Sequence, residues 1–405
     1  MQRWRMAVMA WNIPALMFLF TAFPTRVRAA DVESIPAAVR VVRMEDYGML
    51  KNDPLIHVRD GGVSGIWRGK SYWLFGDTVI TRPSDSGLNW LSNTIAVAEL
   101  PPSDDAGMAE GAGKAFDLCD VAMVEISGRM DPPSESIPWT AEESEYNAAH
   151  FTDRVAGEDR KRFAIWPCAL VAAPDDSSSV IFFTRLMAGA DGPFDFHTVG
   201  RTVAVWRDPD ALPERPEADL FPDGDISLGD AACRVGDMVY VYGLQSKPLS
   251  WPTVVGRVPY ERVTQRDAWE FYAGRDADGV TRWSSEATDA EPVLESSPQL
   301  SVHWNAAAEC FIAVYTSPLA NHLMLRTAPS PEGPWSDVVE IGECQPTTFP
   351  IGCYAGLAHP EFAEQDGLVE YVTYYRETGV FRGEIRVVRV TLERVGSQEP
   401  ETKGS

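Results

Sequence analysis

Two aspartates flank a short aromatic hairpin near the start of the chain, and their spacing suits acid–base chemistry. Asp60 opens the segment Asp60-GGVSGIW, and Asp77 ends the segment Ser71-YWLFG that follows a three-residue turn. In an antiparallel hairpin these two positions lie at the same end, and neighbouring strands are about 5 Å apart. We therefore expect the carboxylates to lie roughly 5 to 9 Å apart, which suits the paired acids of retaining or inverting glycoside hydrolysis.

Four later segments repeat this layout of a strand, a polar turn and a second strand rich in aromatic residues. The same argument places the ends of all five hairpins on one rim, where aromatic faces can stack on sugars and polar groups can bind hydroxyls. The candidate substrate-binding residues on this rim are Trp166, Arg185, Asp230, Gln245, His359, Glu361 and Arg376.

Structural roles remain open for each of these residues. An aspartate at a strand end often caps a turn, and Trp166 can equally pack between blades. Arg185 and Arg376 can form ordinary ion pairs at the rim, and His359 can be a structural histidine. Glu361 is either an acid in the funnel or a strand residue that faces solvent.

The repeats predict an all-β fold, a five-bladed β-propeller. Their period of about 64 residues fits four strands with elaborated loops. The segment Val39-RVVRM precedes the first repeat and can pair with the last blade, which would close the ring and remove exposed strand edges. We expect one propeller domain over residues 31–395, a long insertion on blade one around residues 101–162, and a disordered tail over residues 396–405.

The N-terminus has the pattern of a signal peptide. Arg3 and Arg5 precede a mostly apolar run, and Val27-Arg-Ala29 supplies small residues for cleavage near residue 30. We therefore expect residues 1–30 to be removed and the protein to be secreted or periplasmic. An uncleaved anchor is the alternative.

Composition narrows the range of partners. The net charge of −24 disfavours nucleic acid and anionic membrane surfaces, so we expect a monomer that binds a polysaccharide or oligosaccharide. No cofactor motif or Cys/His metal pattern is present, so neither a cofactor nor a metal is predicted. Cys344 and Cys353 are close enough in sequence to close one loop, whereas Cys168, Cys233 and Cys310 can be bridged or simply buried.

The segment Ser71-YWLFGDT, following an Asp-Gly-Gly start, resembles the DUF4185 family. Trp269-EFYAG, Thr327-APSPEGPW and His359-PEF match in the same order. The resemblance implies a five-bladed propeller similar to those of arabinanases and levansucrases. Some members of the family are endo-acting D-arabinofuranases, and their catalytic carboxylates lie in the region that corresponds to Asp60 and Asp77.

The leading hypothesis is a secreted glycoside hydrolase that acts on an extracellular polysaccharide, with an endo-acting D-arabinofuranase on arabinan as its specific form. One of Asp60 and Asp77 would be ionised, and the other, or Glu361 or Asp230, would be the protonated general acid. The alternatives are a non-catalytic carbohydrate-binding propeller and a surface interaction scaffold. The latter would need a broad apolar patch.

Overall fold

The structure is a computed structural model that describes residues 34–101, 116–150, 161–189, 195–245, 250–318, 320–347, 352–379 and 382–396. The predicted signal peptide and nearly all of the predicted tail lie outside these ranges. Within them the chain forms 23 strands, several short 3₁₀ turns and a single α-helix, α1 (Ala141–His150). No helix of the described part is long and apolar enough to cross a membrane.

The strands form five separate antiparallel sheets, which follow one another along the chain. Blade one consists of β2 (Ile56–Trp67), β3 (Lys70–Ile80), β5 (Thr94–Glu99) and β6 (Met123–Glu125), in that order, with β4 (Trp90–Leu91) paired to the end of β3. Blade two consists of β7 (Arg162–Ala172), β8 (Ser179–Ala188), β9 (Phe196–Trp206) and β10 (Phe221–Pro222).

The third and fourth blades continue the pattern. Blade three contains β11 (Ala231–Val235), β12 (Met238–Leu244), β13 (Pro252–Pro259), β14 (Glu270–Arg275) and β15 (Thr281–Ser284), with β16 (Leu294–Glu295) paired to β13. Blade four contains β17 (Leu300–Asn305), β18 (Cys310–Thr316), β19 (His322–Ala328) and β20 (Val339–Glu343).

Blade five joins the two ends of the described chain. It contains β21 (Cys353–Ala358), β22 (Val369–Gly379) and β23 (Arg382–Arg394), and its outer strand is β1 (Val39–Met49), which pairs antiparallel with β23. The first strands of successive blades contact one another in a closed circle, from β2 to β7, β11, β17, β21 and back to β2. The five-bladed β-propeller is therefore confirmed, and β1 closes the ring as the sequence predicts.

Large aromatic side chains fill the space between adjacent blades. Between blades one and two, Trp67, Tyr72 and Trp206 meet with ring centroids 5.0 to 5.5 Å apart, and Trp67 and Trp206 are fully buried. Twisted sheets diverge towards the rim of a propeller, so bulky rings are needed there to keep the packing dense.

The region between β5 and β7, which the sequence predicts to be a long insertion, contains regular secondary structure. It supplies β6, the fourth strand of blade one, and then α1, whose start has a capping box between Thr140 and Glu143. Glu143 is buried and forms ion pairs with Arg185 and Arg215, each at 2.7 Å. These pairs fasten α1 to blade two.

Candidate active site

A double-glycine bulge in β2 determines where Asp60 points. Gly61 and Gly62 have φ values of +79° and +103°, a backbone region that glycine adopts most easily. The pairing of β2 with β3 shifts at both neighbouring positions, so Asp60 lies opposite the pair Gly76 and Asp77. Asp60 is inside β2 rather than at its start, but the two aspartates lie at the same end of their hairpin, which is called the Asp60 end below.

Gly76 leaves room for the Asp60 carboxylate. A β-carbon built on Gly76 would lie 2.8 Å from Oδ1 of Asp60 and 3.6 Å from Cδ1 of Trp166. The first distance is shorter than real side chains tolerate. The glycine of the Gly-Asp-Thr segment is therefore needed for the present position of the Asp60 carboxylate.

Blade five completes the surroundings of Asp60. The hydroxyl of Tyr354 donates a hydrogen bond of 2.9 Å to Oδ2 of Asp60, and the ring of Tyr375 lies 4.8 Å from that of Tyr354. Glu377, on β22, is close enough for its charge to raise the pKa of Asp60. Burial raises the pKa of Glu377 as well, and its Oε2 has no hydrogen-bond partner among the described residues.

Asp77 lies in a more cationic environment. Arg162, at the start of β7, lies over the ring of Trp90 at 4.1 Å, and its charge lowers the pKa of Asp77. The indole groups of Trp166 and Trp90 favour the ionised form too. Oδ1 of Asp77 is buried and has no hydrogen-bond partner in the described part of the chain.

The two carboxylates have unequal electrostatic environments. Burial and the charge of Asp77 together raise the pKa of Asp60 to about 7. Burial also raises the pKa of Asp77, but Arg162 and the two indoles oppose that rise. Burial thus raises the pKa of both carboxyl groups, and only Asp77 has a cation and two indoles beside it that favour its ionised form.

An aromatic surface borders this pair. Trp166 is only partly buried and meets Phe196 edge to face at 5.0 Å, and Phe196 is 42% exposed. Trp166 belongs to β7 of blade two, and its Cδ1 lies beside Gly76 of blade one, so its ring lies where these two blades meet. A sugar ring can stack on such a surface.

Three other candidates on blades two and three are engaged in structural contacts. Arg185 is paired with Glu143 and Asp219, so it holds α1 in place. Asp230 is buried, pairs with Arg201 at 2.6 Å and accepts the backbone N–H of Leu244 at 2.8 Å.

Gln245 joins β12 to β13 through a backbone hydrogen bond of 2.8 Å to Pro252 and lines a separate cleft with Asp225 and Thr288.

His359 and Glu361 lie at the opposite end of the blade, and their predicted place on the rim beside Arg376 is wrong. β21 starts at Cys353, which pairs with Arg376, whereas the N–H of His359 bonds to the carbonyl of Tyr371. The segment Pro360–Phe362 is a 3₁₀ turn between β21 and β22 rather than part of the first strand.

Both residues of this His359 end have hydrogen-bond partners in blade one, and His359 has another in blade five. The ring nitrogens of His359 contact the hydroxyls of Ser64 at 2.6 Å and Thr373 at 2.8 Å. Its ring stacks on Trp73 at 4.2 Å. Glu361 accepts a hydrogen bond of 2.7 Å from Ser71, so it neither enters the funnel nor simply faces solvent.

Arg376 is at the Asp60 end but has partners of its own. It forms an ion pair with Glu384 at 2.9 Å and donates to the carbonyl of Pro346 at 2.8 Å. The sequence argument missed Tyr354, Tyr375 and Glu377 because it started the fifth hairpin at His359. The run Cys353-YAGLA contains the signal that would have found them, since a start there puts Tyr354 and Glu377 at the Asp60 end.

No group of three His, Cys, Asp or Glu side chains in the described ranges is arranged to hold a metal ion. The chain has distant similarity to curated proteins. It is 23% identical over 310 residues to "Notoamide biosynthesis cluster protein J'" of Aspergillus versicolor, covering 72% of this chain and 73% of that protein.

Two solved structures are also similar. One is a GH43_1 enzyme from Xanthomonas citri, with a TM-score of 0.42, 13% identity and coverage of 89% of this chain and 96% of that one. The other is an α-L-arabinofuranosidase from Podospora anserina in complex with cellotriose, with a TM-score of 0.43, 7% identity and coverage of 88% and 97%. Residues 183–381 match the model of DUF4185, a domain of unknown function, which confirms the family resemblance of this chain over that range.

Proposed function

We propose that the protein is a glycoside hydrolase that uses Asp60 and Asp77 as its catalytic carboxylates. The observation that supports this most strongly is the pairing of two carboxylates across one bulged hairpin in unequal environments. Burial and Asp77 raise the pKa of Asp60 to about 7, whereas Arg162 favours the ionised form of Asp77. Such a division between one acid and one base is what cleavage of a glycosidic bond requires.

The residues have distinct roles in this proposal. Protonated Asp60 donates its proton to the leaving glycosidic oxygen, and ionised Asp77 activates water or attacks the anomeric carbon. Because Tyr354 donates to Oδ2 of Asp60, the proton is carried on Oδ1, which faces Gly76 and Trp166. Glu377 adds negative charge beside Asp60 and keeps its proton bound.

The substrate in this proposal is an extracellular polysaccharide, and a D-arabinan cut by endo action is its most specific form. The family resemblance supports the arabinan, and Trp166 with Phe196 offers a surface on which a sugar ring can stack. The predicted signal peptide supports an extracellular substrate.

The test is a screen of the purified protein against arabinans, arabinogalactans and xylans, with product sizes recorded over time. A mixture of intermediate oligosaccharides would support endo action, and small products alone would indicate exo action. Asp60→Asn, assayed in parallel, should release product about 10² to 10⁴ times more slowly. Retention of a polysaccharide without cleavage by both proteins would favour the non-catalytic sugar-binding alternative.

A further inference from the structure

One asparagine holds two cysteines together beside the candidate site. The backbone N–H of Cys344, just after β20, donates to the carbonyl oxygen of Asn321 at 2.7 Å. The N–H of Cys353, the first residue of β21, donates to the side-chain oxygen of the same asparagine at 3.0 Å. Both cysteines belong to one buried cluster between blades four and five and are only 1% and 5% exposed.

The two sulfur atoms interact with each other. A hydrogen bond between the thiols raises the pKa of Cys344 and lowers that of Cys353. The Cys353 thiol also donates to the carbonyl of Gln345 at 3.5 Å. The Cys119 and Cys168 thiols donate to the carbonyls of Tyr47 and Trp166. Both Cys344 and Cys353 are free thiols here.

We propose that Cys344 and Cys353 form a disulfide bond when the protein folds in an oxidising compartment. The oxidant is an external disulfide, such as glutathione disulfide or an oxidised dithiol protein. The thiolate of one cysteine attacks this disulfide, forms a mixed disulfide and releases one external thiol. The second cysteine, as its thiolate, then attacks the sulfur of the first and releases the other external thiol. Two protein thiols are oxidised and one external disulfide is reduced.

The disulfide bond would stabilise the part of the candidate site that blade five contributes. Its loop is already held against β22, because the N–H of Gln345 donates to the Tyr374 hydroxyl at 3.0 Å and Arg376 donates to Pro346. Cys353 directly precedes Tyr354, whose hydroxyl binds Asp60. A covalent link at Cys353 therefore fixes the strand that positions this hydroxyl.

Thiol counting tests the proposal without reference to any activity. Full-length protein, refolded with a glutathione redox pair, is denatured in N-ethylmaleimide, and its intact mass is measured. Of the six cysteines in the chain, all but Cys344 and Cys353 should carry an adduct, and peptide mapping should show these two linked. Labelling of every cysteine, or a different linked pair, would overturn the proposal.

Matched variants sharpen this result. Cys344→Ser and Cys353→Ser should each leave every remaining cysteine labelled, whereas Cys310→Ser should keep one protected pair. Reductant should lower the Tm of the wild type by about 3 °C, given a closed loop of about ten residues. It should leave the Tm of the double variant Cys344→Ser/Cys353→Ser unchanged. An equal decrease in Tm in both proteins would contradict the proposed disulfide. This outcome does not depend on whether the protein is a hydrolase.

Discussion

The contact between blades one and five has two ends with different chemistry. At the His359 end, both ring nitrogens of His359 have hydroxyl partners, and Glu361 is bonded to Ser71. At the Asp60 end, oxygens of Asp77 and Glu377 have no hydrogen-bond partner among the described residues. Folding alone favours satisfied polar groups. Trp73 Nε1 at the His359 end also has no partner in the described ranges, so the difference between the two ends concerns their acid groups. Unsatisfied acid oxygens beside an aromatic surface agree with the proposal that a ligand binds at the Asp60 end.

One group at each end, His359 and Asp60, has a pKa shifted in the opposite direction from the other. Burial lowers the pKa of His359 to about 3, so its imidazole stays neutral and serves as a fixed link between strands. Burial and a second carboxylate raise the pKa of Asp60 to about 7. Only the second group can exchange a proton near neutral pH, which makes the Asp60 end suited to acid–base work.

The largest expected effect comes from neutralising the paired acids. Asp60→Asn and Asp77→Asn should each lower kcat by about 10² to 10⁴ because an amide cannot carry out general acid–base catalysis. The Tm of neither variant should decrease, because removing a buried carboxylate that resists ionisation does not destabilise the fold. Activity is measured on the best polysaccharide of the screen, and Tm on the same preparations.

The matched control for these two variants is a carboxylate at the His359 end. Glu361→Gln should keep its activity and lower the free energy of unfolding by about 1 kcal/mol, since it weakens one partly buried hydrogen bond. If Glu361→Gln abolished activity while the two aspartate variants kept theirs, the functional assignment of the two ends would be reversed.

A steric change at Gly76 should have the next largest effect. Its φ is not in the positive range, so alanine is compatible with the backbone, but the new methyl group would press on Oδ1 of Asp60. Displacing a catalytic group by about 1 Å can cost on the order of 10² in rate. Gly396→Ala, where no atom lies within 4 Å, is the control. Unchanged kcat in Gly76→Ala would indicate that the position of Asp60 does not matter for turnover.

Alanine variants of two tryptophans distinguish a role in substrate binding from a role in core packing. Trp166→Ala should raise KM by roughly tenfold through loss of a stacking surface, with a small change in Tm. Trp73→Ala, in the fully buried ring beneath His359, should instead destabilise the fold by about 3 to 5 kcal/mol. The contrast is measured by steady-state kinetics and denaturant unfolding. A large loss of stability in Trp166→Ala would make it a packing residue.

The smallest effect is a pH dependence of stability that has opposite sign for Asp60 and His359. The pKa of Asp60 is about 7 in the folded protein against an ordinary 3.8, so the folded state holds an extra proton between these values. This contribution to stability is complete below about pH 4 and is lost as the pH rises through 7. For His359 the folded pKa of about 3 lies below 6.5, so stability is lost as the pH falls between these values.

Thermal unfolding from pH 4 to 8 checks this dependence. The Tm of Asp60→Asn relative to the wild type should increase with pH across this range, because the variant has no carboxylate to ionise. In Asp77→Asn the pKa of Asp60 should fall, since a neighbouring negative charge has been removed. A Tm difference that does not change with pH would contradict a raised Asp60 pKa.

The sequence predicts most of the fold, because strand periodicity and a repeat are local signals. The closure of the ring by Val39-RVVRM is an example. It predicts only part of the site. Asp60 and Asp77 are neighbours through one hairpin, whereas Tyr354 and Glu377 reach them only because blade five lies beside blade one. The ion pairs of Arg185 and Asp230 are also non-local. Arg185 pairs with Glu143 on α1, 42 residues away, and Asp230 pairs with Arg201 on β9, 29 residues away.

The pairing of β1 with β23 has a consequence for synthesis. Arg40 and Glu393, joined across these strands, are 353 residues apart in the chain. Blade five thus stays incomplete until almost the whole polypeptide has left the ribosome or crossed a translocation channel. Contacts of such long range slow folding, and an unpaired β22–β23 edge can associate with other chains meanwhile. Deleting Val39–Met49 should therefore reduce the yield of monomeric protein more than deleting residues 396–405 does.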